Sequence, residues 1–442
     1  MKNILKVLVY VTFLVCLLPA GDGKKHRKHS KQPKRSPPPP PPPPPVVPTP
    51  GGGASLSVRS YGAKGDGVSD DTNAFAAAWA DACTGKGSTV VVPAGFVFLV
   101  RQVSFSGRGC SHSLVFQVDG NIIAPTKSGS WKSGLVQWLE FTELRGITIQ
   151  GKGTIDGRGS VWWGGAAAGK MPSTKPTAVR FYGSTDITVT GVKIQNSPQT
   201  HLKFDSCQDV HVYGISVSSP GDSPNTDGIH LQNSQNVLIH TASLSCGDDC
   251  ISIQTGCSGV YVHNVNCGPG HGISIGGLGK DGTRACVSNV TVRDTAMQGT
   301  MTGVRIKTWQ GGSGLVQGII FANIQVAQVV TPIQIDQYYC NSHSCRNKTS
   351  AVAVAGVAYQ NIQGTYTGAS PVRLACSDSH PCAGITMAGI NLTPAAGKAA
   401  DDDEGPFCWK AYGTLQTATV PRIGCLLPEK KPPAAAGGFS SC

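Results

Sequence analysis

The chain has 442 residues, 40% of them hydrophobic and only 14% charged, with 56 glycines and a formal charge of +12. That composition can bury a large core, and its glycine content points to frequent turns and an all-β chain rather than to long helices. The positive charge does not mark a nucleic-acid binder, because Lys24, Lys25, Arg27, Lys28, Lys31, Lys34 and Arg35 concentrate most of it in one short run.

Taken in order, Lys2 and Lys6 precede an apolar run from Ile4 to Leu18, and Ala20, Gly21 and Gly23 follow it. This is the layout of a secretory signal peptide over residues 1–23, and the run is short for a bilayer span, so a secreted protein with no membrane segment is expected. The 16 cysteines fit an exported chain. Cys16 lies in the signal, so an odd number remains, which leaves a free thiol or an intermolecular bond. The close pairs Cys340 with Cys345 and Cys376 with Cys382 are spaced to staple small loops. Residues 24–54 pass from the basic run into Pro37 to Pro45 and read as an extended polyproline arm without a core. Such an arm serves either as an electrostatic tether to a polyanion or as a spacer or propeptide. Asn289, Asn347 and Asn391 each begin a glycosylation sequon.

Ser57 to Tyr61 reads as a short strand and Gly62 to Gly67 as a turn cluster. A helix follows, with Ser69, Asp70 and Asp71 offering capping oxygens and Ala74, Phe75, Ala78, Trp79 and Ala82 on one face. From Thr89 onward, short β-branched runs recur, each led by a turn residue: Gly146, Asp186, Asp209, Asn236, Gly259, Asn289, Gly318 and Gly356. Strands recurring once per coil in the same direction predict a right-handed parallel β-helix over residues 55–428, with the helix capping its open end and a loose tail over 429–442.

Three phrases sharpen that reading. Asp227-Gly-Ile-His-Leu, Asp249-Cys-Ile-Ser-Ile and His271-Gly-Ile-Ser-Ile follow one another in steps of 22 residues. In a stack whose coils lie about 4.8 Å apart, their leading residues form one column. Strict alternation turns Ile229, Leu231, Ile251, Ile253, Ile273 and Ile275 inward and His230, Ser252 and Ser274 outward. It also turns Asp227, Asp249 and His271 inward, unless the chain bends first at Pro224, Gly247, Pro269 and Gly270. Asp248 adds a third carboxylate, and clustered carboxylates raise each other's proton affinity, so that one can donate a proton while another activates water. Arg305 falls in the outward column of Ser274, with Lys307 two residues on, and together they suit an anionic substrate. A lone Asp-Asp pair more often marks a turn, a surface ion pair or a calcium ligand, and a lone Arg-x-Lys a solvated face. The registered series of all four motifs is what points to a functional cleft.

Those motifs, Asn225-Thr226-Asp227, Gly247-Asp248-Asp249, Gly270-His271-Gly272 and Arg305-Ile306-Lys307, resemble the signatures of the polygalacturonases, glycoside hydrolase family 28. Tyr61 to Gly67 with Asp70-Asp71-Thr72 resembles the family's N-terminal region in plants, so the resemblance spans Ser57 to about Leu427. It implies a right-handed parallel β-helix that hydrolyses α-1,4-galacturonosyl bonds of demethylated pectin with inversion, needing no metal or other cofactor. It further implies Asp248 as general acid, Asp227 and Asp249 as the pair activating water, and His271 assisting the acid. Arg305 and Lys307 would bind the substrate carboxylate, Asn225 would line the cleft, and Tyr339, or the adjacent Tyr338, would stack on the sugar. The expected setting is the extracellular cell wall, the expected state a monomer, and the expected partner pectin, with the basic arm similar to extensin-like segments. A pectate lyase on a similar β-helix is the rival reaction; it would need calcium and an arginine base.

Overall fold

The computed structural model describes residues 53–131, 137–164, 169, 171–340, 345, 347–397 and 404–429. The expected signal peptide, the arm up to residue 52, and the tail beyond Glu429 with Cys442 lie outside the described residues. Among the described residues no helix is long and apolar enough to cross a membrane.

The strands stack into a right-handed parallel β-helix that runs from Ser55 to Pro428. One side is a sheet of 11 strands that includes Thr177–Tyr182, Leu202–Asp205, Ile229–Gln232, Ile251–Ile253, Ile273–Leu278, Thr302–Trp309 and Thr331–Tyr339. The remaining sides are walled by a second, longer ladder of parallel strands.

The recurrent turn residues are corners. Gly146, Asp186, Asp209, Asn236, Gly259, Asn289, Gly318 and Gly356 all take φ between 54° and 70°. An L-residue with a Cβ is disfavoured there, and Asn and Asp tolerate it best, which is why only Gly, Asn and Asp fill the column. The corners also bond along the stack: Asn236 Nδ2 donates to Asp209 Oδ1 at 3.0 Å, and at a second left-handed row, Asp294 (φ 51°) and Asn323 (φ 54°), Asn323 Nδ2 donates to Asp294 Oδ1 at 2.8 Å.

Alternation fills the interior with stacked columns. Phe105, Phe141, Phe181 and Phe204 lie with successive ring centroids 4.9, 5.2 and 5.1 Å apart. In register, the column continues through Leu231, Ile253, Ile275, Ile306 and Ile335. The helix Thr72–Thr84 covers the open end, burying Ala74, Phe75, Ala78, Trp79 and Ala82 as its periodicity predicts. Trp79 packs on Phe105 with centroids 5.2 Å apart and donates its indole N–H to Ser106 O at 3.0 Å.

Two local expectations are corrected. Asp71 occupies the cap position but makes no side-chain cap; its carboxylate instead accepts the backbone N–H groups of Lys64 and Gly65, while Asp70 Oδ1 accepts from Thr72 N. The expected strand Ser57 to Tyr61 is a strand over Ser55–Ser57 followed by a 3-10 turn, Val58–Tyr61, nucleated by Ser57 Oγ accepting from Arg59 N. In both places a local side-chain bond competes with the ladder or the helix end and prevails.

Among the described residues disulfides join Cys83 to Cys110, Cys250 to Cys267, Cys340 to Cys345, Cys376 to Cys382 and Cys408 to Cys425, and Cys286 is also disulfide-bonded. Cys207, Cys246 and Cys257 are free and buried. The three sequon asparagines are exposed.

His201 is buried beneath the turn that leads into Ile229. Its Nδ1 donates to Asp227 O at 2.9 Å and its Nε2 accepts from Ser219 Oγ at 2.7 Å. Burial pushes this imidazole down to about 4.

Two outcomes follow from this packing. Phe181→Ala, cut from the middle of the ring stack, should lower stability by about 3–5 kcal/mol, read from the urea midpoint. For His201, the folded state holds the ring neutral down to about 4, whereas the unfolded chain takes up its proton near 6.5. Its contribution is therefore complete above pH 6.5 and declines as pH falls toward 4. Relative to His201→Gln, the wild type should lose about 3 kcal/mol between pH 7 and 4, and parallel stability profiles would refute this.

Candidate active site

The regular strands begin at Ile229, Ile251 and Ile273, so Asp227, Asp249 and His271 each stand just before the pleat starts. The bend that turns Asp227 and His271 out of the pleat is built into the backbone, whereas Asp249 stays buried. Asn225 has φ 58°, and Gly272 has φ 82° with its α-carbon packed so closely that a Cβ would lie 2.1 Å from Thr302 O. No other residue fits that position beside His271. Beyond the bend, His230, Ser252, Ser274 and Arg305 pair in register as one outward column.

Two clusters result. In the first, Asp248 Oδ1 accepts from His271 Nδ1 at 3.0 Å and from Asp249 N at 2.9 Å, while Asp248 Oδ2 accepts from Asn225 Nδ2 at 3.2 Å. In the second, Asp249 Oδ1 accepts from Arg305 Nη2 at 2.7 Å and Ser274 Oγ at 2.7 Å, and Asp249 Oδ2 accepts from Lys307 Nζ at 2.9 Å. Arg305 Nε donates to Ser274 Oγ at 3.0 Å, closing the network. Asp227 stands apart and holds His230 through Oδ2 and Nδ1 at 3.1 Å.

The three carboxylates are electrostatically unequal. Burial pushes the Asp227 carboxyl up; the His230 hydrogen bond opposes this, and the charges of Asp248 and Asp249 add to it, so the net shift is upward. Burial also pushes Asp248 up, but the hydrogen bond and charge of His271, with Lys307, outweigh it and hold the group at about 2. Asp249 is nearly fully buried, yet both of its oxygens face cations. One atom each from Asp248, Asp249 and His271 lies within 4.8 Å of the others, a spacing that could hold a cation. Arg305, Lys307 and His271 already meet those oxygens, which leaves this set poorly suited to a metal.

A cleft of about 230 Å³ opens over these groups, lined among others by Asn225, Asp227, His230, Asp248, Asp249, Lys307 and Tyr339. Tyr339, rather than Tyr338, faces it: the Tyr339 ring lies 5.2 Å from Lys307 Nζ and edge-on to Trp309, whereas Tyr338 is turned to Asp378. The resemblance placed Arg305 on the substrate; here its guanidinium is buried against Asp249 and Ser274 and does not line the cleft. Sequence reasoning put His230 on the outward face without assigning it to the site, and Gln199, Thr200 and Gln254 gave no signal at all. The outward phase of the Asp227 strand was the one clue to His230.

Comparison with known proteins bears on the fold and the family of this chain. Residues 83–404 match the model of the glycosyl hydrolases family 28, and residues 55–103 match that of rhamnogalacturonase A/epimerase, pectate lyase-like proteins. A polygalacturonase of Cryptomeria japonica is 43% identical over 78% of this chain and 68% of its own length. A probable polygalacturonase of Arabidopsis thaliana is 41% identical over 83% of each chain. Among solved structures, the polygalacturonase of Erwinia carotovora superposes with a TM-score of 0.68 at 22% identity, covering 85% of this chain and 100% of the other. The exopolygalacturonase of Thermotoga maritima gives 0.64 at 20% identity, covering 76% and 88%. The structural likenesses carry the fold, and the family match with the closer sequence relatives carries the ancestry: the chain belongs to family 28 of the glycosyl hydrolases.

Proposed function

We propose that this glycoside hydrolase is a polygalacturonase that cleaves α-1,4-galacturonosyl linkages of demethylated pectin, with inversion and without a metal ion. The observation that carries this reading is the division of labour in the cleft: an Asp248–His271 pair holding a proton across 3.0 Å, and a separate Asp227 whose proton affinity is raised.

Asp248 donates a proton to the glycosidic oxygen as the bond from that oxygen to the anomeric carbon breaks. The His271 hydrogen bond holds Asp248 at about 2, and the 3.0 Å contact between them is the path along which a proton shared by the pair reaches the Asp248 oxygen for delivery. Asp227 and Asp249 accept hydrogen bonds from the attacking water. The raised affinity of Asp227 suits it to take the proton as the water oxygen joins the anomeric carbon from the opposite face. Lys307, in the cleft wall, is placed for a substrate carboxylate, with Tyr339 beside it for the sugar face. Arg305 acts behind them as a positioning residue, holding Asp249. Asn225 keeps the second oxygen of Asp248 oriented.

The setting proposed is the extracellular cell wall, the enzyme acting as a monomer, with the basic arm of residues 24–54 tethering it to wall polyanions.

Incubation with polygalacturonic acid and a chelator should generate new reducing ends, with the β-anomer formed first by proton NMR and no ultraviolet-absorbing product. Absorbance that vanishes with chelator would establish a lyase instead. Asp248→Asn should lower kcat by about a hundredfold or more with KM little changed. Retained turnover would remove Asp248 from the role of acid.

A further inference from the structure

Lys203 is the cation that the site described above does not use. It lies on the strand Leu202–Asp205, pairs in register with His230 on one side and Arg180 on the other, and points outward between buried Leu202 and Phe204. Its charged neighbours are already engaged. Arg180 is gripped by Glu140 at 3.0 Å and by Asp205 at 2.8 Å, a closed triad. Among the described residues no carboxylate oxygen lies within 4.0 Å of Lys203 Nζ. Burial pushes its ammonium down, and the more distant charges of Asp205 and Asp227 offset this only in part, with Arg180 opposing them. A half-buried cation thus loses solvation without gaining a partner, an arrangement that a bound anion would relieve.

The cleft reaches this coil through Gln199 and Thr200, which precede Lys203 on the same turn. Successive coils are about 4.8 Å apart, close to the advance of one sugar unit, so a chain laid along the coils brings one carboxylate to each. We infer that Lys203 forms a carboxylate-binding subsite one coil before Asp227, reading the charge on the galacturonate unit next to the one under attack. The inference rests on the proposed polygalacturonase activity and adds to it a residue that sets how strictly the neighbouring unit must be unesterified.

The test uses the full chain as wild type, Lys203→Gln and Lys203→Arg, with initial rates on polygalacturonic acid and on partly methyl-esterified pectin. Loss of a charged contact made equally in the ground and transition states should raise KM about tenfold for Lys203→Gln, with kcat within about twofold. Lys203→Arg should recover most of that affinity. The gap between wild type and Lys203→Gln should narrow as esterification rises, which a merely structural role would not produce. Unchanged KM in Lys203→Gln, or a gap independent of esterification, would overturn the subsite while leaving the hydrolase reading intact. A wild type that releases no reducing ends from polygalacturonic acid would overturn both.

Discussion

The structure depends on one constraint, the parallel register that carries a residue of each coil onto its counterpart in the next, with local shifts such as those after Ile275 and Lys307. Ile229, Ile251, Ile273 and Val304 stand in one line because of it. A slip of one residue would exchange every inward side chain with an outward one, so the buried columns and the site are fixed together. The left-handed corners protect this register. They set where each strand starts, and their Asn and Asp side chains bond to the coils above and below.

Register is also what lets the chain assemble charges that are distant in sequence. Asp249 meets Arg305 and Lys307 from a strand two coils further on, and Ser274 on the coil between completes the network. A buried carboxylate would be destabilising alone, and two cations with a hydroxyl make it tolerable. Removing either cation would leave one oxygen of the buried Asp249 carboxylate without its charged donor, so the group reads as one unit rather than as three independent contacts. Asp248 is held ionised by His271, whereas Asp227 has only His230 to offset its burial.

Against that background the cleft is asymmetric along its length. The His230 and Asp227 side is bounded by three successive coils whose ion triad, Glu140, Arg180 and Asp205, is complete, leaving Lys203 outside it. The opposite side is bounded by Lys307 and Tyr339, a cation beside an aromatic face, with Trp309 packed edge-on behind Tyr339. The fold supplies the regular platform, and the proposed chemistry lies in departures from it, at the turns that precede the pleat.

The sequence by itself determined the β-helix, the capping helix with its buried face, and the four motifs of the site, because each is a periodic signal: a corner per coil, an alternation of two, a step of 22 residues. It also exposed the conflict between alternation and solvent access at Asp227, Asp249 and His271. Only the tertiary structure resolved that conflict, through left-handed backbone at Asn225 and Gly272 that turns Asp227 and His271 outward while Asp249 stays buried against Arg305 and Lys307. Only the structure turned Arg305 from the cleft to Asp249, chose Tyr339 over Tyr338, and brought His230 onto Asp227. The same holds for Asp71, whose carboxylate serves Lys64 and Gly65 instead of the helix. Periodicity gives the face on which a side chain stands, but the partner it takes there depends on competing donors and acceptors from other coils, and those meet only once the stack has closed.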